Sequence, residues 1–168
     1  MMNFTLFSDS EARTFLLGEL LGSVMRGGLT LLLEGELGTG KTLFVRGLGS
    51  ALGVRHVRSP SFTLVNEYRT RRLTLVHADL YRLDPDGVDD LGLEDFLNDD
   101  ELLLVVEWPD RWRDALAFEA LHLCLRARSE EVREIEGSAR GERVERIARD
   151  FLDVVRRECP EALREVRG

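Results

Sequence analysis

Leu29-Thr30-Leu31-Leu32-Leu33-Glu34-Gly35-Glu36-Leu37-Gly38-Thr39-Gly40-Lys41-Thr42 decides the fold. The near-continuous apolar run Leu29–Leu33, bounded by glycines, predicts a strand covered on both faces. Gly35 to Thr42 then satisfies GxxxxGK[ST] at every fixed position, and Leu43, Phe44, Leu48 and Leu52 continue at helical spacing up to Gly53. Strand, glycine-rich loop and helix in this order form the context that a phosphate-binding loop needs. Its glycines let successive backbone N–H groups converge on phosphate oxygens, and the helix that follows adds its positive end. Gly35, Glu36, Leu37, Gly38, Thr39, Gly40, Lys41 and Thr42 are thus the candidate nucleotide-binding residues. Lys41 would reach the β- and γ-phosphates, and the Thr42 hydroxyl would ligate Mg²⁺. Average residue frequencies give such a match by chance in roughly one chain of this length in a few hundred.

Outward from this loop, strands and helices interleave. Residues 4–7 predict a first strand, and Ser8 with Glu11 matches a capping box opening a helix whose Ala12, Leu16, Leu20 and Val24 recur every four residues. Gly27-Gly28 would end that helix. Phe62–Tyr68 and Leu73–Leu80 alternate with period two across the polar link Arg69–Arg72, which predicts a hairpin. Residues 84–101 hold nine carboxylates and no basic residue, as short helical turns on a solvated surface would. Leu102–Val106 is a second buried strand ending in Glu107, Leu121–Leu125 and Val132–Ile135 are strands expected near an edge, and Val144, Ile147, Phe151 and Val155 mark a closing helix before Pro160. The class is α/β, a P-loop NTPase-like mixed sheet flanked by helices. A single domain is expected over residues 1–158, with 159–168 a poorly ordered tail.

Composition narrows the functions. With 31 acidic and 23 basic residues the 168-residue chain carries a formal charge of -8, which disfavours a broad footprint on nucleic acid or an anionic membrane and leaves room only for a local basic strip. No apolar run approaches the ~20 residues of a membrane span, and the first residues lack the features of a signal peptide, so the expected location is cytoplasmic with no membrane contact. Cys124 and Cys159 lie far apart, with neither a CxxC nor a His-rich segment to suggest a disulfide framework or zinc. Of the 23 basic residues 22 are arginine, and the one lysine is Lys41. A lone lysine in an arginine-rich chain suggests a task for a compact ammonium that a planar guanidinium cannot perform.

A phosphate loop does not by itself separate a GTPase, a kinase and an ATPase. The usual NKxD reader of guanine needs a second lysine, which this chain does not have. Arg111-Trp112-Arg113 beside Pro109 is a short candidate for the arginine-rich lid of a small kinase. Two strands end in a carboxylate, Leu73–Asp79 and Leu102–Glu107, and either Asp79 or Glu107 could supply the Mg²⁺-associated oxygen of a Walker B site. His77 alternates with Asp79 onto one strand face, where a satisfied core histidine is the commoner outcome.

Four segments together, the phosphate loop, Ser59-Pro60-Ser61-Phe62-Thr63-Leu64-Val65-Asn66-Glu67-Tyr68, His77-Ala78-Asp79-Leu80-Tyr81-Arg82 and Glu107-Trp108, resemble in order and spacing the TsaE (YjeE) family. Those are bacterial ATPases required for threonylcarbamoyladenosine (t6A, at position 37) in tRNA. The resemblance covers roughly residues 4–137 and carries nothing over beyond residue 140. It implies that Lys41, Asp79 and Glu107 are catalytic, with Glu107 a Mg²⁺ ligand beside Thr42 and Asp79 orienting the attacking water or the metal's surroundings. Ser59, Pro60, Ser61 and Phe62 would form a switch-like segment able to sense the γ-phosphate; Ser61 departs from the family's usual threonine but keeps the hydroxyl. From the residues alone, a turn that merely starts a strand is an equal reading of that segment. Glu11 and Arg133 look similar to family positions near the base, where surface charge is the competing reading, and Trp108 either packs beside the site or meets a partner. The implied partners are TsaD and TsaB homologues, with tRNA held indirectly through the complex. The competing functions are a P-loop kinase acting on a small molecule and a nucleotide-dependent binding module without useful turnover.

Overall fold

The computed structural model describes residues 1–168. Strands β1 (Met2–Ser8), β2 (Leu29–Glu34), β3 (Val65–Arg69), β4 (Thr74–Asp79), β5 (Leu102–Glu107), β6 (Leu121–Ala127), β7 (Arg133–Ala139) and β8 (Leu163–Arg167) form one eight-stranded sheet in the order β3-β4-β5-β2-β6-β7-β1-β8. The four inner strands β4, β5, β2 and β6 run parallel, and every other neighbouring pair is antiparallel. The apolar runs behave as parallel-sheet chemistry requires: Leu31–Leu33 and Leu103–Val106 are buried on both faces.

Helices α1 (Glu11–Ser23), α2 (Lys41–Ala51) and α4 (Glu142–Glu158) cover one face, with the larger core beneath them. Against the other face a smaller core joins Leu32, Val76 and Val106 to Val88, Leu93 and Trp112. The acidic segment expected to be purely a solvated surface is therefore also a cover: the short helix α3 (Pro85–Asp89) and the 3-10 turn Leu93–Phe96 turn Val88 and Leu93 inward and leave the carboxylates outside.

Four expectations are corrected. Ser10, not Ser8, caps α1, its side chain accepting from Arg13 N; Ser8 is consumed by β1 pairing and its hydroxyl meets Thr14. The helix closes at Ser23, ahead of Gly27, and its buried face is Thr14, Leu17, Gly18, Leu20, Leu21 and Gly22; of the every-fourth set Leu20 is buried, Leu16 and Val24 flank the core half-buried and Ala12 is exposed, because α2 packs on the glycines and turns the helix. A Cβ at Gly18 would strike the Phe44 carbonyl, and one at Gly47 the Phe15 carbonyl, so the two helices touch backbone to backbone. β6 and β7 lie inside the sheet, β6 pairing with β2 directly. Residues 159–168, expected as a tail, form a 3-10 turn and β8, which pairs with β1 as an edge strand and leaves Cys159 and Ala162 in the core.

Candidate functional site

The parallel strands deliver their C-terminal ends to one place, where ligands bind in open α/β sheets. β2 runs into the glycine-rich loop, and Glu107 and Asp79 are register partners at the ends of β5 and β4. Gly35, Gly38 and Gly40 hold φ values of 149°, 78° and 103°, conformations that side chains resist. Gly40 begins α2 with no side-chain cap, leaving the first amides of the helix available to an anion.

Lys41 is only 5% exposed. Its Nζ donates to the carbonyls of Gly35 at 2.6 Å and Glu36 at 2.9 Å, and sits 4.8 Å from the centroid of the Trp108 ring. Burial pushes its ammonium below the ordinary lysine range, and Glu107, Asp79 and Glu36 pull the other way. Thr42 Oγ1 donates towards both Glu107 oxygens at 3.3 Å, and Glu107 is 3% exposed. No group of three or more His, Cys, Asp or Glu side chains is arranged so as to hold a metal ion by itself. A hydroxyl facing a buried carboxylate is a hard-oxygen pair that fits Mg²⁺, which takes few protein ligands and completes its shell with phosphate oxygens and water.

His77 belongs to this constellation. Its Nε2 lies 2.6 Å from Glu107 Oε2, and its Nδ1 has no partner. With Glu107 a carboxylate, the shared proton resides on Nε2, and the imidazole fixes one oxygen of Glu107 while the Thr42 hydroxyl faces both. Periodicity showed only that His77 points the same way as Asp79; the diagonal contact needs the β4–β5 register, in which His77 stands opposite Val105, two residues before Glu107.

Asp79 Oδ1 accepts from Tyr81 N at 3.0 Å and Oδ2 from Ser61 Oγ at 3.4 Å. Ser61 also shares a hydrogen bond with Ser59 at 2.7 Å, Pro60 O accepts from Leu64 N, and Leu64 adopts φ 68°, so the Ser59–Phe62 segment is a turn bound to the end of β4. Phe62 is 85% exposed, with the Arg82 guanidinium 4.8 Å over its ring. Trp108 occupies φ 60°, stacks against Tyr81 at 4.8 Å, and thereby roofs Lys41. Arg133 donates to the carbonyls of Thr39 at 2.9 Å and Gly38 at 3.4 Å; it braces the outer side of the loop. Glu11 stands exposed in the first turn of α1, whose Thr14 borders Gly40, and no hydrogen bond or ion pair joins it to the loop. The structure thus gathers Lys41, Thr42, Asp79, Glu107 and the Ser59–Phe62 turn, puts Arg133 behind them, and leaves Glu11 aside.

Residues 8–135 match the family model described as "Threonylcarbamoyl adenosine biosynthesis protein TsaE". The chain is 36% identical over 136 residues to a Bacillus subtilis protein named tRNA threonylcarbamoyladenosine biosynthesis protein TsaE, covering 80% of this chain and 85% of that one. A protein of the same name from Nostoc sp. is 43% identical over 110 residues, 63% of this chain and 68% of its own length. Among solved structures, that of Bacillus subtilis YdiB superposes with a TM-score of 0.73 at 27% identity, covering 91% of this chain and 97% of that one.

Proposed function

The chain belongs to the TsaE family of threonylcarbamoyl adenosine biosynthesis proteins, and on that premise we propose that it binds ATP with Mg²⁺ and hydrolyses it to ADP and phosphate in the service of t6A formation in tRNA, acting with TsaB and TsaD homologues. The observation that carries this reading is the convergence of the glycine-rich loop, Lys41, Thr42, Glu107 and Asp79 at one end of the parallel strands. In it the loop amides and the uncapped start of α2 hold the phosphates. Lys41 exchanges its two loop carbonyls for phosphate oxygens. Thr42 and Glu107 would hold Mg²⁺, which neutralises phosphate charge when bound. Asp79, reached by the Ser61 hydroxyl, orients the attacking water, so the Ser59–Phe62 turn senses the γ-phosphate through the residue that positions the nucleophile.

A catalytic cation in addition to Lys41 is worth about 10³–10⁵ in rate and can arrive in trans. Most nearby arginines are otherwise engaged: Arg82 lies over Phe62, Arg133 braces loop carbonyls, and Arg113 is paired with Asp86 and Asp89, while Arg111, 5.9 Å over the Trp108 ring and 3.9 Å from Asp110, makes no side-chain hydrogen bond. Turnover by the isolated chain is therefore expected on the order of less than one per minute, with marked stimulation by purified TsaB and TsaD homologues. Steady-state phosphate release with and without those proteins tests the reading. Fast turnover unchanged by them, or transfer of labelled γ-phosphate to an acceptor other than water, refutes it.

A further inference from the structure

Charge is segregated along this acidic chain. Residues 43–73 hold six of the 22 arginines and one of the 31 acids, a formal +5 in a chain whose total is -8. All six, Arg46, Arg55, Arg58, Arg69, Arg71 and Arg72, are exposed. None forms an ion pair, whereas ten of the other sixteen arginines lie within 4.0 Å of a carboxylate. The lone acid of the stretch, Glu67, shares a face of β3 with Arg69 without pairing to it, and Glu19, 3.5 Å from Ser50 Oγ, stands at the border.

Arg46, Arg55, Arg58 and Arg72 belong to one built surface with Arg71 at its rim, whereas Arg69, on the strand face of Glu67 and Val65, stands on the other side of the β3 edge. Arg72 donates to the carbonyls of Ala51 and Met25, which fastens the β3–β4 turn to the end of α2. Arg46 donates to Val57 O, and Tyr68 accepts from the backbone N–H of Arg58, which ties α2, the 53–58 loop and β3 together. The side chains of Arg55, Arg58, Arg69 and Arg71 make no hydrogen bond, so their guanidinium groups are unspent. Arg46, Arg55, His56 and Arg58 line one open concavity.

We propose that this surface binds the phosphodiester backbone of RNA directly, with tRNA as that RNA; the identity of the RNA rests on the function proposed above. Arginines without an ion pair can neutralise phosphates and have no carboxylate of their own to release. Neutralising phosphates with them makes affinity fall with salt, each contact adding about 0.7–0.9 to the slope of log K against log salt. The 53–58 loop runs directly into Ser59–Phe62, so bound RNA sits against the segment that touches Asp79.

The test measures binding of labelled, unmodified tRNA to the full chain by fluorescence anisotropy across a salt series, with Arg55→Gln/Arg58→Gln/Arg71→Gln as variant and Arg146→Gln/Arg149→Gln on α4 as control. The triple variant is expected to lose at least tenfold in affinity at moderate salt and to reduce the slope by about 2–3. The control should bind as wild type, and both should melt and hydrolyse ATP as wild type does. Equal affinity of wild type and triple variant overturns the proposal, as does an absence of salt-dependent binding by the wild type. Unchanged tRNA affinity with lost capture of TsaB or TsaD assigns the surface to an acidic protein and also overturns it; preference for anionic vesicles over tRNA does the same. Nucleotide binding is measured separately: ATP binding with no effect of the triple variant sinks this proposal alone, and RNA binding without any ATP binding sinks the proposed ATPase alone.

Discussion

Replacing Lys41 by methionine should separate its role in binding from its role in the fold. In the free protein the ammonium is buried under Trp108 and spends two donors on the carbonyls of Gly35 and Glu36. Burial outweighs the pull of the nearby carboxylates, and the proton affinity of Lys41 lies below that of an ordinary lysine. Methionine, of similar length and uncharged, should thus leave the melting temperature of the free protein unchanged or slightly higher. In the proposed nucleotide complex the same two donors would serve phosphate oxygens. Losing two charge-assisted hydrogen bonds at about 1.5 kcal/mol each raises Kd about 150-fold. At an ATP concentration of about 100 wild-type Kd, stabilisation falls from about 2.7 to about 0.3 kcal/mol. In a domain of this size that reduces the nucleotide-induced rise from roughly 5–11 °C to about 1 °C. Differential scanning fluorimetry with and without ATP and Mg²⁺ reads both quantities. The pH dependence has a definite sign: between the lowered value and the ordinary lysine range the unfolded chain binds more protons than the folded one, so the free wild type gains on the variant as pH rises through that window. A drop of more than about 4 °C in the free variant means that the lysine holds the loop together, and an undiminished shift with ATP means that it does not reach the phosphates; either result refutes the reasoning.

Glu107→Ala should weaken Mg²⁺-dependent ATP binding at least tenfold, whereas Asp79→Ala should retain most of that affinity and lose turnover; titrations with and without Mg²⁺ beside phosphate-release rates distinguish them, and equal losses in both would reverse the assignment. His77→Leu leaves the buried Glu107 without its donor and should lower stability by about 3–5 kcal/mol and shift the Mg²⁺ requirement for ATP binding upward, while His77→Gln, which keeps an N–H, should restore much of both. Identical Mg²⁺ titrations for the two His77 variants would mean that the hydrogen bond does not set the carboxylate.

What was legible in the sequence was what is local. The phosphate loop is read from eight consecutive residues, and the strands before it and before Glu107 from runs that only a doubly covered strand tolerates. Contacts between elements were not legible. Hydrophobic spacing marked Ala12, Leu16, Leu20 and Val24, but Gly18 and Gly22, which carry no hydrophobic signal, decide which face of α1 meets α2. β8, Leu163-Arg164-Glu165-Val166-Arg167, has too few apolar side chains to announce itself, because an edge strand is held largely by backbone hydrogen bonds to β1. The joining of His77 to Glu107 follows from strand order and register, neither of which periodicity contains. Arg133 signals charge alone, while its work is to hold two carbonyls of a loop 94 residues away.

Because β1 is enclosed between β7 and β8, Asn3 takes its partners from Ser138 and Arg167. On the ribosome, at about 5–20 residues per second, roughly 7–27 s separate the synthesis of Asn3 from that of its first partner. Throughout that time the nascent chain carries both rims of β1 unsatisfied, with Met2, Phe4 and Leu6 still lacking the core that will bury them. The glycine-rich loop is complete long before the sheet is, so the half-made protein has that motif in hand while its first strand is still open to any neighbouring polypeptide. Closure of the domain is thus a late event in its synthesis, and translation speed over the whole stretch between β1 and β8 governs how long that vulnerability lasts.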